Sequence, residues 1–247
     1  MGHPRRADDR LSCAACPVRS AALCAGCTAP ELEAWQDHRR VRRYEAGEAV
    51  GHTGDRLNVM ATVVAGSATL SRGLEDGRTQ IVGLLLPANL LGRPGGQRLA
   101  HDIVAATPLT LCTIGAQDFA GLSATQPGVA ARVLDMTMAD LEAARSWMTV
   151  LGRKTARERV ASFLMMLAHR EVVAGADPNR PVAFDLPLTR EQMADHLGLT
   201  IETVSRQLTT LAREGLLALP TRRGVRIIDL ACLLAETGDD ADGGLPT

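Results

Sequence analysis

The sequence predicts an α+β chain made of an antiparallel β-roll, one long helix and a C-terminal winged helix-turn-helix. Three observations carry that expectation. Gly and Asp-Gly signals punctuate short apolar runs across residues 39–113, residues 129–151 contain neither Pro nor Gly, and two capped helix starts flank Gly198. At 247 residues the chain exceeds one average domain. A hydrophobic content of 46% and a charged content of 22% allow a packed core, which leaves disorder to the ends.

The first segment, residues 1–29, is set apart by cysteine. Four of the chain's six lie within fifteen residues, as Cys13-Ala-Ala-Cys16 and Cys24-Ala-Gly-Cys27. Thiolates two residues apart can turn toward one ion without straining the backbone, and a second close pair can complete the coordination, so the crowding points to a metal or iron-sulfur site. A disulfide knot would need the oxidising setting of a secreted chain. Residues 1–10 are polar and charged without an apolar export core, and the longest apolar stretch, residues 81–91, is broken by Gly83 and Pro87. A cytoplasmic chain with no membrane partner is expected.

The roll is assigned to residues 30–126. Its turns are marked by Gly47, Gly54, Gly66 and Asp76-Gly77, and between them the runs 60–64, 68–71 and 80–86 are rich in Val, Ile, Leu and Thr. The dimerisation helix, residues 127–152, would be about 35 Å long at roughly 1.5 Å per residue. Leu134, Met138, Leu141 and Met148 form one apolar stripe, and Val133, Met136, Ala144, Trp147 and Leu151 a neighbouring one. A surface this broad needs two partners. One is the chain's own strands; the other is the same helix of a second subunit, with Val133, Met136, Leu141, Ala144, Met148 and Leu151 as the contact set.

Residues 153–237 form the C-terminal domain, after a hinge at Gly152, Arg153 and Lys154 and a helix over 155–173. In residues 188–206, Thr189 and Gln192 make a capping box, Gly198 permits a left-handed turn, and Thr200 caps a second helix. On that second helix Ile201, Val204, Leu208 and Leu211 share the face turned to the core, while Glu202, Ser205, Arg206 and Thr209 lie opposite. Read alone, this polar face is the solvated side of an amphipathic helix. The sequence after it, a strand over 216–219, a turn over 220–224 and a returning strand over 225–228, is a wing with a basic tip at Arg222 and Arg223. A helix-turn-helix of this kind puts Glu202 and Arg206 at base edges in the major groove and Ser205 at a base or a phosphate, with Thr200 and Thr203 as further DNA-binding residues and Arg222 and Arg223 placed to touch phosphate. The formal net charge of −1 gives no global attraction to nucleic acid, and 2% aromatics leaves little for stacking on single strands. Binding must therefore come from locally placed Arg on double-stranded DNA. The tail, residues 238–247, is acidic and Gly-rich and reads as disordered.

This order of parts resembles the CRP/FNR superfamily of bacterial transcription regulators across roughly residues 11–234. The run Ile201-Glu202-Thr203-Val204-Ser205-Arg206 is similar to the FNR form of the recognition helix, Glu-x-x-Ser-Arg after an aliphatic residue. The resemblance implies a non-enzymatic activator, a homodimer that binds a palindrome close to TTGAT-N4-ATCAA and contacts RNA polymerase. It also implies an oxygen-sensing role through a 4Fe-4S cluster held by Cys13, Cys16, Cys24 and Cys112, with Cys27 spare. Taken by itself, Cys112 reads as a small buried hydrophobe. The superfamily's roll, cyclic-nucleotide-binding in type, uses a Gly-Glu pair on the ribose. Residues 89–96 lack that Glu, so no cyclic nucleotide is expected even though Arg93 and Arg98 are available for a phosphate.

Two alternatives stay open. Cys13, Cys16, Cys24 and Cys27 form a Cys-x2-Cys-x7-Cys-x2-Cys set that a structural zinc would fit, within the same architecture. A redox dithiol enzyme or electron-transfer protein would use the same Cys-x-x-Cys pairs, but no βαβ pattern surrounds them and no ferredoxin-type cysteine run recurs.

Overall fold

The architecture comes from a computed structural model that describes residues 12–239, so the expectations for residues 1–10 and 240–247 lie outside the described residues. The chain divides into two compact units, Met1–Thr137 and Met138–Thr247. The boundary falls inside the long helix, so that helix is not a separate body. Its first half belongs with the roll and the cysteine segment, and its second half with the C-terminal unit.

In the first unit, helix α1 (Ala29–His38) precedes the strands β1 (Arg39–Tyr44), β2 (Ala49–Gly51), β3 (Arg56–Leu57), β4 (Val59–Ala65) and β5 (Ala68–Gly73). Then follow β6 (Thr79–Leu85), β7 (Leu90–Leu91), β8 (Gln97–Arg98), β9 (Asp102–Ala105), β10 (Leu109–Gly115) and helix α2 (Ala116–Thr125). One antiparallel sheet has the order β1-β10-β4-β7, a second β2-β9-β5-β6, and β3 pairs with β8. The expected hairpin joins β5 to β6. Gly77 takes φ 87°, a conformation costly for any residue with a Cβ, and its N–H donates to Leu74.

The strand period of two explains how one sheet serves two cores. Leu109 and Leu111 of β10 face Val63, Leu91 and Ile103 between the sheets. Ile114 faces the other way, where Met60, Leu23, Trp35, Phe119, Leu122 and Val129 form a second core. Each large side chain buried in this way contributes roughly 1.5–3 kcal/mol. The cysteine segment and the first turns of the long helix thus form the lid over the outer face of the sheet.

Helix α3 (Pro127–Arg153) is continuous through Gly152. The break comes one residue later than expected, because Thr155 caps helix α4 (Ala156–Val173), its hydroxyl accepting from the Glu158 N–H. Between them Lys154 is buried, its Nζ donating to Ser162 Oγ at 2.8 Å and Asp239 Oδ2 at 2.6 Å. Gly238 and Asp239, assigned to the tail, are therefore held on the domain, because a buried ammonium needs a paired acid.

The second unit continues with β11 (Val182–Asp185), α5 (Arg190–Leu197), α6 (Ile201–Arg213), β12 (Leu217–Ala218), β13 (Gly224–Ile227) and α7 (Leu230–Ala235). The wing is a three-stranded sheet in the order β11-β13-β12, with β11 an addition to the expected hairpin. Residues Val160 to Ala168 of α4 are buried throughout, making it the central helix. His196 of α5 is buried with its ring 4.7 Å from that of Trp147 and 5.7 Å from that of Phe163.

Candidate metal centre and nucleic-acid interface

Cys13, Cys16, Cys24 and Cys112 line one cavity in the first unit, with Trp35, Arg39, Met60 and Ile114 in its walls. Cys24 is carried on the 3-10 turn Leu23–Gly26. Cys112 is carried on β10, opposite Val41 of β1 and Thr62 of β4. Alternation places Cys112 on the face away from Leu111, toward the cysteine segment. Burial pushes its thiol up to about 12, with Cys13 the next contributor and Arg39 opposing. Burial also raises Cys24, followed by Cys16 and Cys13. Burial raises Cys27 as well, to about 11, with Cys24 the next contributor.

Cys27 does not line this cavity. It is 7% exposed, and its Sγ faces Gln126 Oε1 at 3.9 Å. Cys27 thus stands outside the lining that Cys13, Cys16 and Cys24 share with Cys112. Tetrahedral zinc would also bring its sulfurs within about 3.8 Å of one another, from Zn–S bonds of about 2.3 Å. Among the described residues no three His, Cys, Asp or Glu side chains converge to hold a single ion. A 4Fe-4S cluster takes one thiolate on each of four irons, so its ligands need not converge on a single point. Arg19 and Arg39 were missed in the sequence. Arg19 opposes the upward shifts of Cys24 and Cys27, as Arg39 does that of Cys112, so cationic charge flanks the thiol set. Arg39 is only 5% exposed.

Along α3 the two apolar stripes part. Leu134, Met138, Leu141 and Met148 are 61%, 49%, 42% and 73% exposed, and Ala144 is exposed beside them. Val133 and Met136 pack on the chain's own second core instead. A helix lying on a sheet turns one stripe inward, and these two half-buried residues are on it. Leu151 is half-buried, and Trp147 meets Phe163.

The recognition module is assembled as its spacing required. Thr189 and Gln192 exchange hydrogen bonds, the Thr189 hydroxyl accepting from the Gln192 N–H at 3.1 Å and Gln192 Oε1 from the Thr189 N–H at 2.9 Å. Gly198 has φ 61° and ψ 43°, and the Thr200 hydroxyl accepts from the Thr203 N–H at 3.2 Å. On α6, Val204, Leu208 and Leu211 are buried. Ile201 is 43% exposed, which corrects its assignment as a core anchor. As the first residue of the helix, it lies beyond the end of the buried stripe. Glu202 and Arg206 are exposed, as is Thr200, while Thr203 and Ser205 are half-buried. Hydrogen bonds from its own backbone N–H and from the Thr200 hydroxyl hold the Glu202 carboxyl below its usual range, ready to accept.

At the wing tip Arg222 is exposed and Arg223 half-buried, with the Arg223 carbonyl accepting from the Leu186 N–H at 2.9 Å. Arg190, first residue of α5, was not singled out in the sequence. Burial and then the like charge of Arg222 depress it. In the roll, Arg98 Nη1 donates to the Gly54 carbonyl at 3.0 Å and Arg93 Nε to the Gly96 carbonyl at 3.1 Å. No helix among the described residues is long and apolar enough to cross a membrane.

Residues 158–236 match the Crp-like helix-turn-helix domain and residues 41–126 the cyclic nucleotide-binding domain. The chain is 49% identical over 235 residues to the transcriptional activator protein FnrL of Cereibacter sphaeroides, covering 95% of each. It is 34% identical to the nitrogen fixation regulation protein FixK of Bradyrhizobium diazoefficiens, covering 89% of this chain and 91% of that one. The structure of FixK2 from Bradyrhizobium japonicum superposes with a TM-score of 0.73 at 28% identity, covering 82% of this chain and 99% of that one. The thiol-lined roll, the long helix and the reading head thus make the chain a member of the CRP/FNR family, a DNA-binding transcriptional activator of the FNR and FixK type and not an enzyme.

Proposed function

We propose that this activator is oxygen-responsive and controls anaerobic or microaerobic genes, with Cys13, Cys16, Cys24 and Cys112 as ligands of a 4Fe-4S cluster. The observation that carries the reading is the shared cavity of these four thiols, with Cys27 turned away onto Gln126. A cluster bound there would supply an oxygen-labile link between the N-terminal segment and β10. The chain's own residues do the rest. Arg19 and Arg39 offset the negative charge of four thiolates, and Trp35, Met60 and Ile114 keep the cavity apolar.

The exposed stripe of α3 is the homodimer surface in this reading, made by Leu134, Met138, Leu141 and Met148 with Ala144 between them. Dimer geometry sets the spacing of the two reading helices, so DNA affinity follows the seating of the long helix. Arg206 donates a bidentate pair to guanine, Glu202 accepts from a base amino group, and Ser205 reaches a base or phosphate. Thr200, Thr203, Arg222 and Arg223 contact the backbone, on a palindrome close to TTGAT-N4-ATCAA, and RNA polymerase is the further partner.

Anaerobic iron and sulfide analysis of the wild type, Cys112→Ala and Cys27→Ser tests the reading. About four iron and four sulfide per chain are expected in the wild type and in Cys27→Ser, and loss of both in Cys112→Ala. Stoichiometric zinc without sulfide, or a cluster that survives in Cys112→Ala, would overturn it.

A further inference from the structure

The cysteine segment rests on the first two turns of α3, and one side chain makes the polar contact between them. Arg132 Nη2 donates to the Ala21 carbonyl at 2.6 Å, two residues ahead of the turn that carries Cys24. The side chain is half-buried, with its Nε enclosed and without a hydrogen-bond partner while the contact itself lies at the surface. Around it the backbones touch: a Cβ added at Gly128 would lie 3.8 Å from the Gly26 carbonyl oxygen. One residue before α3 begins, Gln126 Oε1 accepts the Trp35 Nε1–H at 2.8 Å and faces the Cys27 Sγ. Leu23 and Val129 share the same core, with Val133 packed against it. The segment that supplies three of the four thiols and the start of the long helix are thus seated on each other.

We propose that Arg132 is a latch that makes the seating of the cysteine segment and the seating of the first turns of α3 a single event. The carbonyl of Ala21 lies within the turns between Cys16 and Cys24, which are held by local backbone hydrogen bonds and by no sheet ladder. A charged donor reaching it from a helix converts a local change of loop conformation into a change in the lateral position of that helix. Arg132 is in this sense a positioning residue that touches no thiol. What orders the thiols rests on the reading given under Proposed function; the latch itself is a property of residues 21–27 and 126–136.

Hydrogen exchange on the full chain tests it, with iron and sulfide measured on the same anaerobic samples and the exchange of β10 as the control for folding. Arg132→Met keeps the aliphatic stem and removes the donors. Arg132→Gln keeps polarity but cannot reach Ala21. In both variants exchange of residues 21–27 and of residues 128–136 is expected to rise together, by about tenfold, with β10 unchanged. In the wild type, removing iron with a chelator should raise the exchange of both segments, whereas in the variants residues 128–136 should stop responding to it. Wild-type exchange in both variants, or a rise confined to one segment, overturns the latch. If Arg132→Met fails to fold, Arg132→Gln decides. A wild type without iron and sulfide sinks the cluster reading instead, and the joint rise in the variants still decides the latch.

Discussion

Arg159 and Leu197 are joined across the reading head: Arg159 Nη1 donates to the Leu197 carbonyl at 2.9 Å. Leu197 is the last residue of α5, where helix carbonyls have no partner of their own. The same guanidinium donates through Nε to the Lys154 carbonyl at 2.9 Å, at the break between α3 and α4. One side chain therefore satisfies the carbonyls on either side of the central helix. Arg159→Met is expected to cost about 1.5–3 kcal/mol, the range for hydrogen bonds to charged groups, read by urea denaturation of the full chain. A loss under about 0.5 kcal/mol would place it among neutral surface substitutions and remove it from the scaffold.

Arg206 and Arg222 are expected to fail in different ways. If Arg206 reads a base as proposed, Arg206→Ala should cost about 1–3 kcal/mol of discrimination at one base pair of each half-site. If Arg222 meets a phosphate as proposed, Arg222→Ala should weaken every sequence alike and reduce the salt slope by about one per subunit. Titrating both variants against single-base changes in the palindrome at several salt concentrations separates them. Equal losses on all sites for Arg206→Ala would mean that it touches only the backbone.

What was legible in the sequence is what local chemistry fixes. Thr189, Gln192, Gly198 and Thr200 dictate two capped helices and a turn within a dozen residues, and Asp76-Gly77 dictates a hairpin. β1 was harder to read, because Arg39-Arg40-Val41-Arg42-Arg43 shows no apolar alternation; it is a strand because β10 pairs with it and buries Val41 and Tyr44. Helix α1 had a readable signal in Thr28 and Glu31, a capping box with Pro30 in the first turn. The grouping of Cys112 with Cys13, Cys16 and Cys24 was legible only through family resemblance, since nothing local relates residues so far apart. The roles of Arg19, Arg39 and Arg132 were not legible at all, because each is defined by a partner on another element.

The division of the long helix into an inward and an outward stripe predicts two distinct phenotypes. Met148→Glu places a charge on the exposed stripe and is expected to leave the chain folded but monomeric, with loss of tight binding to the two-half-site palindrome. Val133→Ala trims a contact within the chain's own core, and should cost roughly 1 kcal/mol of stability while leaving dimerisation intact. Sedimentation velocity and thermal melts on both variants check the pair. A monomeric Val133→Ala of unchanged stability would place Val133 on the dimer surface.

Arg157 predicts a pH dependence. Its Nε donates to Glu236 and its Nη2 to Glu214, tying α4 to the end of α6 and to the residue after α7. The Arg157 hydrogen bond holds the Glu236 carboxyl below its usual range. A depressed folded pKa contributes stability that is present above the unfolded value of about 4.3 and is lost as pH falls through the lower folded one. Glu236 is 31% and Arg157 27% exposed, so solvent screens the pair and the contribution near neutrality is about 0.5–1 kcal/mol. Glu236→Gln should therefore melt below the wild type at pH 6–7, and the two curves should converge as pH falls through and below the usual carboxylate range. A gap that stays constant across this range would assign the effect of Glu236 to packing rather than to its charge.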